Sequence, residues 1–165
     1  MKDENISVIK FSWDDIDNII DGITTILESD GLPEIIIAIA RGGMIPAVIL
    51  SHKTGIRNIQ IFSIQETVDD TVNSQKLPPT IGENIDFKTF EGKRILIVDD
   101  IIGSGSTLKA VINVIVTYSP KEVKTMACCV NLLNWEKDNY GRCEDLVDYI
   151  GKKVEGWVVF PWENN

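Results

Sequence analysis

The chain has 165 residues, 44% of them hydrophobic, with 25 acidic against 16 basic side chains and a net charge of −9. That size and apolar content suit one α/β domain with a proper core and exclude a disordered chain. The acidic balance argues against general binding to nucleic acid or to an anionic membrane, and no apolar run reaches the roughly 18 residues of a membrane span.

The polar opening Met1-Lys2-Asp3-Glu4-Asn5 reads as no secretory signal, so a reducing cytoplasm is expected. Ser12 is suited to cap a helix, with Asp15 as the acidic partner of a capping box. Ile16, Ile19, Ile20, Ile23, Ile26 and Leu27 then recur at helical spacing until Gly31 and Pro33. Glu34 to Ala40 reads EIIIAIA, which is short, β-branched and apolar throughout, as a strand covered on both faces should be. Arg41-Gly42-Gly43 breaks it; a helix is predicted from about Ile45 to Lys53, before Gly55, and a second strand over Asn58 to Ile64. His52, the single histidine, falls in that helix and reads as structural, since one histidine builds no histidine-centred metal cluster or triad within the chain.

Residues from about 65 to 90 are polar, contain Pro78, Pro79 and Gly82, and show no period. Such a stretch inside a compact domain is a functional lid or disorder, with room for short strands. Arg94 to Val98 (RILIV) is a third buried strand, Thr107 to Val116 a helix, Val123 to Val130 a fourth strand, and Trp157 to Phe160 a short last one. Cys128, Cys129 and Cys143 have neither zinc-site nor disulfide-framework spacing and read as buried reduced thiols. Alternating strand and helix implies a parallel sheet flanked by helices, with ligands at the carboxyl ends of its strands. Arg41-Gly42-Gly43 and the loop after Val98 both fall at such ends.

The run Arg94-Ile95-Leu96-Ile97-Val98-Asp99-Asp100-Ile101-Ile102-Gly103-Ser104-Gly105-Ser106-Thr107 carries most of the information. A buried strand delivers two carboxylates to its end, and a turn of Gly and Ser then opens a helix. Glycines let the backbone approach an anion, hydroxyls add donors, and the helix N-terminus adds amides and a favourable dipole. Asp99 and Asp100 cannot bind phosphate themselves; they suit sugar hydroxyls or Mg²⁺. A Walker loop is excluded by the missing Gly-Lys-Ser/Thr, and a dinucleotide fingerprint by Leu108 where a third glycine would stand.

This string resembles the signature of type I phosphoribosyltransferases: apolar strand, two acids, two apolar residues and a small-residue loop ending in Ser/Thr. Ala40-Arg41-Gly42-Gly43-Met44-Ile45-Pro46 looks like the pyrophosphate loop of the xanthine-guanine members, where a non-proline cis peptide is common. Gly156-Trp157-Val158-Val159-Phe160-Pro161-Trp162-Glu163 is similar to the end of those enzymes. The resemblance spans roughly Glu34 to Glu163.

It implies a type I phosphoribosyltransferase-like α/β fold formed as one domain over residues 1–165, with a mobile lid or hood at about 65–90. By carry-over, Asp99 and Asp100 are the catalytic acids, meeting the ribose hydroxyls, with Asp100 assisting Mg²⁺. Ile101, Ile102, Gly103, Ser104, Gly105, Ser106 and Thr107 wrap the 5′-phosphate. Arg41 and Gly42 serve the pyrophosphate of 5-phosphoribosyl 1-pyrophosphate (PRPP), with Lys76 a lid candidate beside it. Trp157 stacks on the base, Val158 offers it backbone groups, and Trp162 is mainly structural.

Two positions depart from the 6-oxopurine pattern. Gly103 stands where an Asp usually meets the purine ring nitrogen N7. Asn131 stands nearest to a Lys that reads the 6-oxo group, with Lys137 an alternative. The implied function is transfer of phosphoribose from PRPP to a purine (guanine, xanthine or hypoxanthine) in purine salvage, by a cytoplasmic homodimer or homotetramer. A PRPP- or nucleotide-sensing regulator on the same fold, or an enzyme for another base, are the alternatives.

Overall fold

A computed structural model of the chain describes residues 7–65, 80–81, 85–138 and 141–163. Along the chain run β1 (Val8–Lys10), α1 (Trp13–Asp30), β2 (Ile35–Ala40), α2 (Met44–Thr54), β3 (Ile59–Gln65) and β4 (Thr80–Ile81). They are followed by β5 (Arg94–Ile102), α3 (Ser106–Val116), β6 (Glu122–Asn131), α4 (Leu132–Asp138), β7 (Tyr149–Val154) and β8 (Trp157–Val159). The main sheet has the order β4-β3-β2-β5-β6-β7. Its five long strands are parallel, and β4 pairs antiparallel with β3 at one edge.

Strand alternation divides the core in two. From β2, Ile36 and Ala38 pack into one layer with Ile16, Ile20, Ile23 and Leu27 of α1 and Ala47 and Leu50 of α2. Ile35, Ile37 and Ile39 face the other way, against Leu108, Val111 and Ile115 of α3. Covering both faces removes each Ile from water, worth about 1.5–3 kcal/mol per side chain. That is why EIIIAIA carries no polar alternation. The capping box at Ser12 and Asp15 forms as expected, and Ser12 Oγ accepts from the Asp15 amide at 3.1 Å. Ile26 does not join the buried face of α1; it is half exposed. The three cysteines are free and buried.

Two boundaries differ from the sequence reading in ways that shape the site. β5 does not stop at Val98. β6 runs beside it, so the ladder continues through Asp99↔Ala127 and Ile102↔Val130. The two acids therefore sit within the strand, their backbone fixed by a neighbour. The last strand, β8, does not join the main sheet. It pairs in parallel with β1, in the register Val8↔Trp157 to Lys10↔Val159. This ribbon is pinned by stacked rings: Phe11 on Phe160 at 5.6 Å and Phe160 on Trp162 at 4.7 Å. The expected lid at about 65–90 lies largely outside the described residues. Its described part holds the strand residues Gln65, Thr80 and Ile81 and a short 3₁₀ turn at Phe87–Thr89.

Candidate functional site: an acid pair between two glycine loops

The centre of the site is the end of β5. Asp99 and Asp100 are both partly buried. The Asp100 amide donates to Asp99 Oδ1 at 2.9 Å, and the Ile101 amide donates to Asp100 Oδ1 at 2.7 Å. Among the described residues no salt bridge reaches either carboxyl. Loss of hydration, with the Asp100 charge added, pushes Asp99 up to about 8. Burial also raises Asp100; its amide hydrogen bonds oppose this, and the charge of Glu163 adds to it.

The loop after β2 lies directly against this pair. The Ala40–Arg41 peptide is cis. A Cβ on Gly42 would overlap the Asp100 carboxyl, and one on Gly43 would overlap the carbonyls of Val98 and Ile39. Only glycine lets the two strand ends approach this closely. Arg41 beside them is exposed.

The turn after β5 is built for close approach as well. Gly105 has φ +77°, and a Cβ there would come within 2.7 Å of Leu146 Cδ2 and 2.8 Å of Trp135 Cζ3. Ser104 Oγ donates to Ser106 Oγ at 3.0 Å and accepts from the Ser106 amide at 3.3 Å. α3 opens at Ser106, so its first free amides follow the turn immediately. The side chain of Ile102 is buried and that of Ile101 partly so, which leaves mainly their backbone for a ligand.

The base-side candidates fall on the β1–β8 ribbon and at the end of β6. Trp157 is 63% exposed, too open for a core residue. Its amide donates to Ser7 O at 2.8 Å, and Val159 O accepts from the Phe11 amide at 2.9 Å. Strand alternation therefore turns the Val158 amide and carbonyl toward the opposite edge. Asn131 is buried; its Nδ2 donates to Gly156 O at 2.8 Å and its Oδ1 accepts from the Leu133 amide at 3.1 Å. It ties the end of β6 to the turn before Trp157. Lys137 lies on α4, His52 is exposed on α2, and Lys76 lies outside the described residues.

Sequence reasoning missed three neighbours of this site. Trp135 and Leu146 wall the Gly105 turn, and Glu163 acts on Asp100 through its charge. Nothing local signals them, because α4 has only seven residues and Glu163 is distant in sequence.

Residues 12–164 match the phosphoribosyl transferase domain family. The chain belongs to that family. A xanthine-guanine phosphoribosyltransferase of Gluconobacter oxydans is 30% identical over 143 residues, covering 84% of this chain and 74% of that protein. A purine phosphoribosyltransferase structure from Pyrococcus horikoshii superposes with TM-score 0.78 at 29% identity, over 96% of this chain and 95% of the other. A transcriptional regulator, GfcR, of Methanocella arvoryzae is 31% identical over 88 residues, 53% of this chain and 42% of its own length. As a phosphoribosyltransferase the chain has the family's five-stranded parallel sheet flanked by helices, with the acid pair on its central strand.

Two outcomes follow from this geometry. Gly42→Ala drives a methyl into the Asp100 carboxyl and should cost about 1–3 kcal/mol in urea unfolding; full parental stability would mean that the loop is not held against β5. Asp99→Asn removes a carboxyl whose folded pKa lies near 8, above its ordinary 3.8. A raised carboxyl pKa contributes stability at low pH that is lost as pH rises. The variant's Tm should therefore exceed the parent's by a margin that grows from about pH 4 to pH 8. A margin independent of pH would contradict the assigned burial.

Proposed function

We propose that the protein transfers phosphoribose from PRPP to a ring nitrogen of a purine, releasing pyrophosphate and a nucleoside monophosphate, as a purine-salvage step. The observation that carries this reading is the meeting of two glycine loops on one acid pair: Gly42 against Asp100, and the Gly103–Ser106 turn just beyond it. In this reading the 5′-phosphate takes the amides and hydroxyls of Gly103, Ser104, Gly105, Ser106 and Thr107, with backbone from Ile101 and Ile102. Asp99 and Asp100 accept hydrogen bonds from the ribose hydroxyls, which favours the ionised forms that burial disfavours in the free protein. Arg41 and the Gly42 amide hold the leaving pyrophosphate. Trp157 stacks on the base, and Val158 meets its edge. Asn131, with its amide already engaged, serves the base by fixing the Gly156 turn.

The donor set fits Mg²⁺: two hard carboxyl groups, partly dehydrated and without a salt-bridge partner among the described residues. Among the described residues no group of three or more potential metal-ligating side chains converges, so most ligands to the ion would come from the substrate's own oxygens. Asp100 is the residue that would hold it, and the ion would supply charge neutralisation to the departing pyrophosphate. The chain's own part is binding and orientation. It fixes the phosphate and ribose, holds the base plane and aligns the ring nitrogen with the sugar carbon. The 65–90 segment, with Lys76, is proposed as the lid that keeps water from that carbon.

The purine preference is supported by the Gluconobacter and Pyrococcus proteins, which are named as xanthine-guanine and purine enzymes. The regulator alternative is the weaker one, since the GfcR match spans only 53% of the chain. Among the described residues no helix is long and apolar enough to cross a membrane, and a cytoplasmic homodimer or homotetramer completes the proposal.

The test is pyrophosphate release from PRPP and Mg²⁺ with guanine, xanthine, hypoxanthine, adenine, uracil and orotate in turn. Turnover is expected with at least one 6-oxopurine, and Asp100→Asn should lower kcat/KM about 100-fold or more. PRPP binding without release for any base would favour the sensor; release only with a pyrimidine would overturn the purine assignment.

A further inference from the structure

The short helix α4 joins the two halves of the site. Its start is tied to the base-side turn by Asn131, through the 2.8 Å bond to Gly156 O. One turn on, it meets the phosphate-side turn twice. Trp135 lies against Gly105, and its indole Nε1 is anchored by donating to Gly141 O at 2.9 Å. Asn134 lies beside Gly103: a Cβ on that glycine would sit 3.6 Å from both Cβ and Nδ2 of Asn134. Gly103 itself brings no side chain to this spot. Asn134 is exposed, and among the described residues its side-chain amide has no hydrogen-bond partner. A polar amide thus stands over the first residue of the turn, on the helix that directly follows Asn131, the β6 residue bonded to Gly156 O.

We propose that Asn134 is a specificity-determining residue, whose side-chain amide meets the edge of the base that faces the phosphate turn. This rests on the phosphoribosyl-transfer reading above. The chemistry sets what it selects. A carboxylate beside Gly103 would accept a hydrogen bond from a protonated ring nitrogen and could take its proton. An amide does not titrate near neutral pH; its Nδ2 donates to an unprotonated ring nitrogen or to an exocyclic oxygen. Asn134 can donate through Nδ2 or accept through Oδ1, so it meets either form of the ring nitrogen, and it leaves proton removal to another group or to solvent. An acceptor left without this donor on binding loses the corresponding affinity.

The experiment is isothermal titration of the full chain with ribose 5-phosphate and with the monophosphates of guanosine, xanthosine, inosine and adenosine. Parent, Asn134→Ala and Asn134→Asp are compared. In the parent, at least one nucleotide should bind more tightly than ribose 5-phosphate. Both substitutions should weaken that nucleotide, Asn134→Ala by about five- to tenfold, the loss of one hydrogen bond, with its ribose 5-phosphate affinity within twofold of the parent's; the carboxylate of Asn134→Asp also repels phosphate, so there the nucleotide should lose more than the sugar phosphate does. Asn134→Asp keeps the size of the side chain, so a merely space-filling role would weaken nucleotide and sugar phosphate by the same factor and overturn the proposal. Equal binding of nucleotide and sugar phosphate by the parent would also overturn it, with the phosphate site left standing. Failure of the parent to bind ribose 5-phosphate at all would instead bring down the phosphoribosyl reading, and this inference with it.

Discussion

Two adjacent carboxylates held partly out of water at the end of the central strand set the conditions for everything around them. Burial and the Asp100 charge push Asp99 up to about 8, so near neutral pH it largely holds a proton beside Asp100, and no salt bridge among the described residues relieves the pair. The local relief comes from backbone amides, at 2.9 and 2.7 Å. In water such a pair would separate and hydrate. Here β6 continues alongside β5 and fixes the backbone in register past both acids. The crowding of the two carboxyl groups is therefore built into the fold, and in the proposed reading hydroxyl donors and a cation from the ligand would relieve it.

The glycines follow from the same constraint. To lie against an acid without filling the space a ligand needs, a neighbouring loop must lack side chains. Gly42 has no room for a methyl because Asp100 is there, and Gly105 has none because Leu146 and Trp135 are there. One contact is with the acid pair and the other is with the core. The first keeps the Arg41 loop close to the acids; the second seats the Gly103–Ser106 turn on Trp135 and Leu146. The end of β6 and the start of α4 link this turn to the Gly156 turn, through Asn131 on Gly156 and Asn134 beside Gly103.

The legible parts of the sequence were those where one local physical rule acts alone. EIIIAIA and RILIV announce strands covered on both faces, Ser12 and Asp15 announce a helix start, and Asp99 to Thr107 carries a strand, acids and turn in one string. Boundaries set by partners were not legible. β5 reads as ending at Val98 because polar residues follow, yet β6 extends it to Ile102. β7 carries Gly151 and two lysines, so it lacks an apolar signature; it is an edge strand with solvent on one side. Asn131 has a side chain that suits base reading, and only the fold shows that Gly156 and Leu133 already occupy it. The roles of Trp135 and Glu163 depend on contacts across long sequence separations and leave no local pattern.

The most direct measurement is a crystal structure of the protein grown with ribose 5-phosphate and Mg²⁺. The sugar phosphate should be found with its phosphate oxygens on the amides and hydroxyls of residues 103–107 and its ring hydroxyls on the two adjacent acids. A sugar phosphate bound elsewhere, with the amides of that turn pointing away from it, would contradict the account at its root.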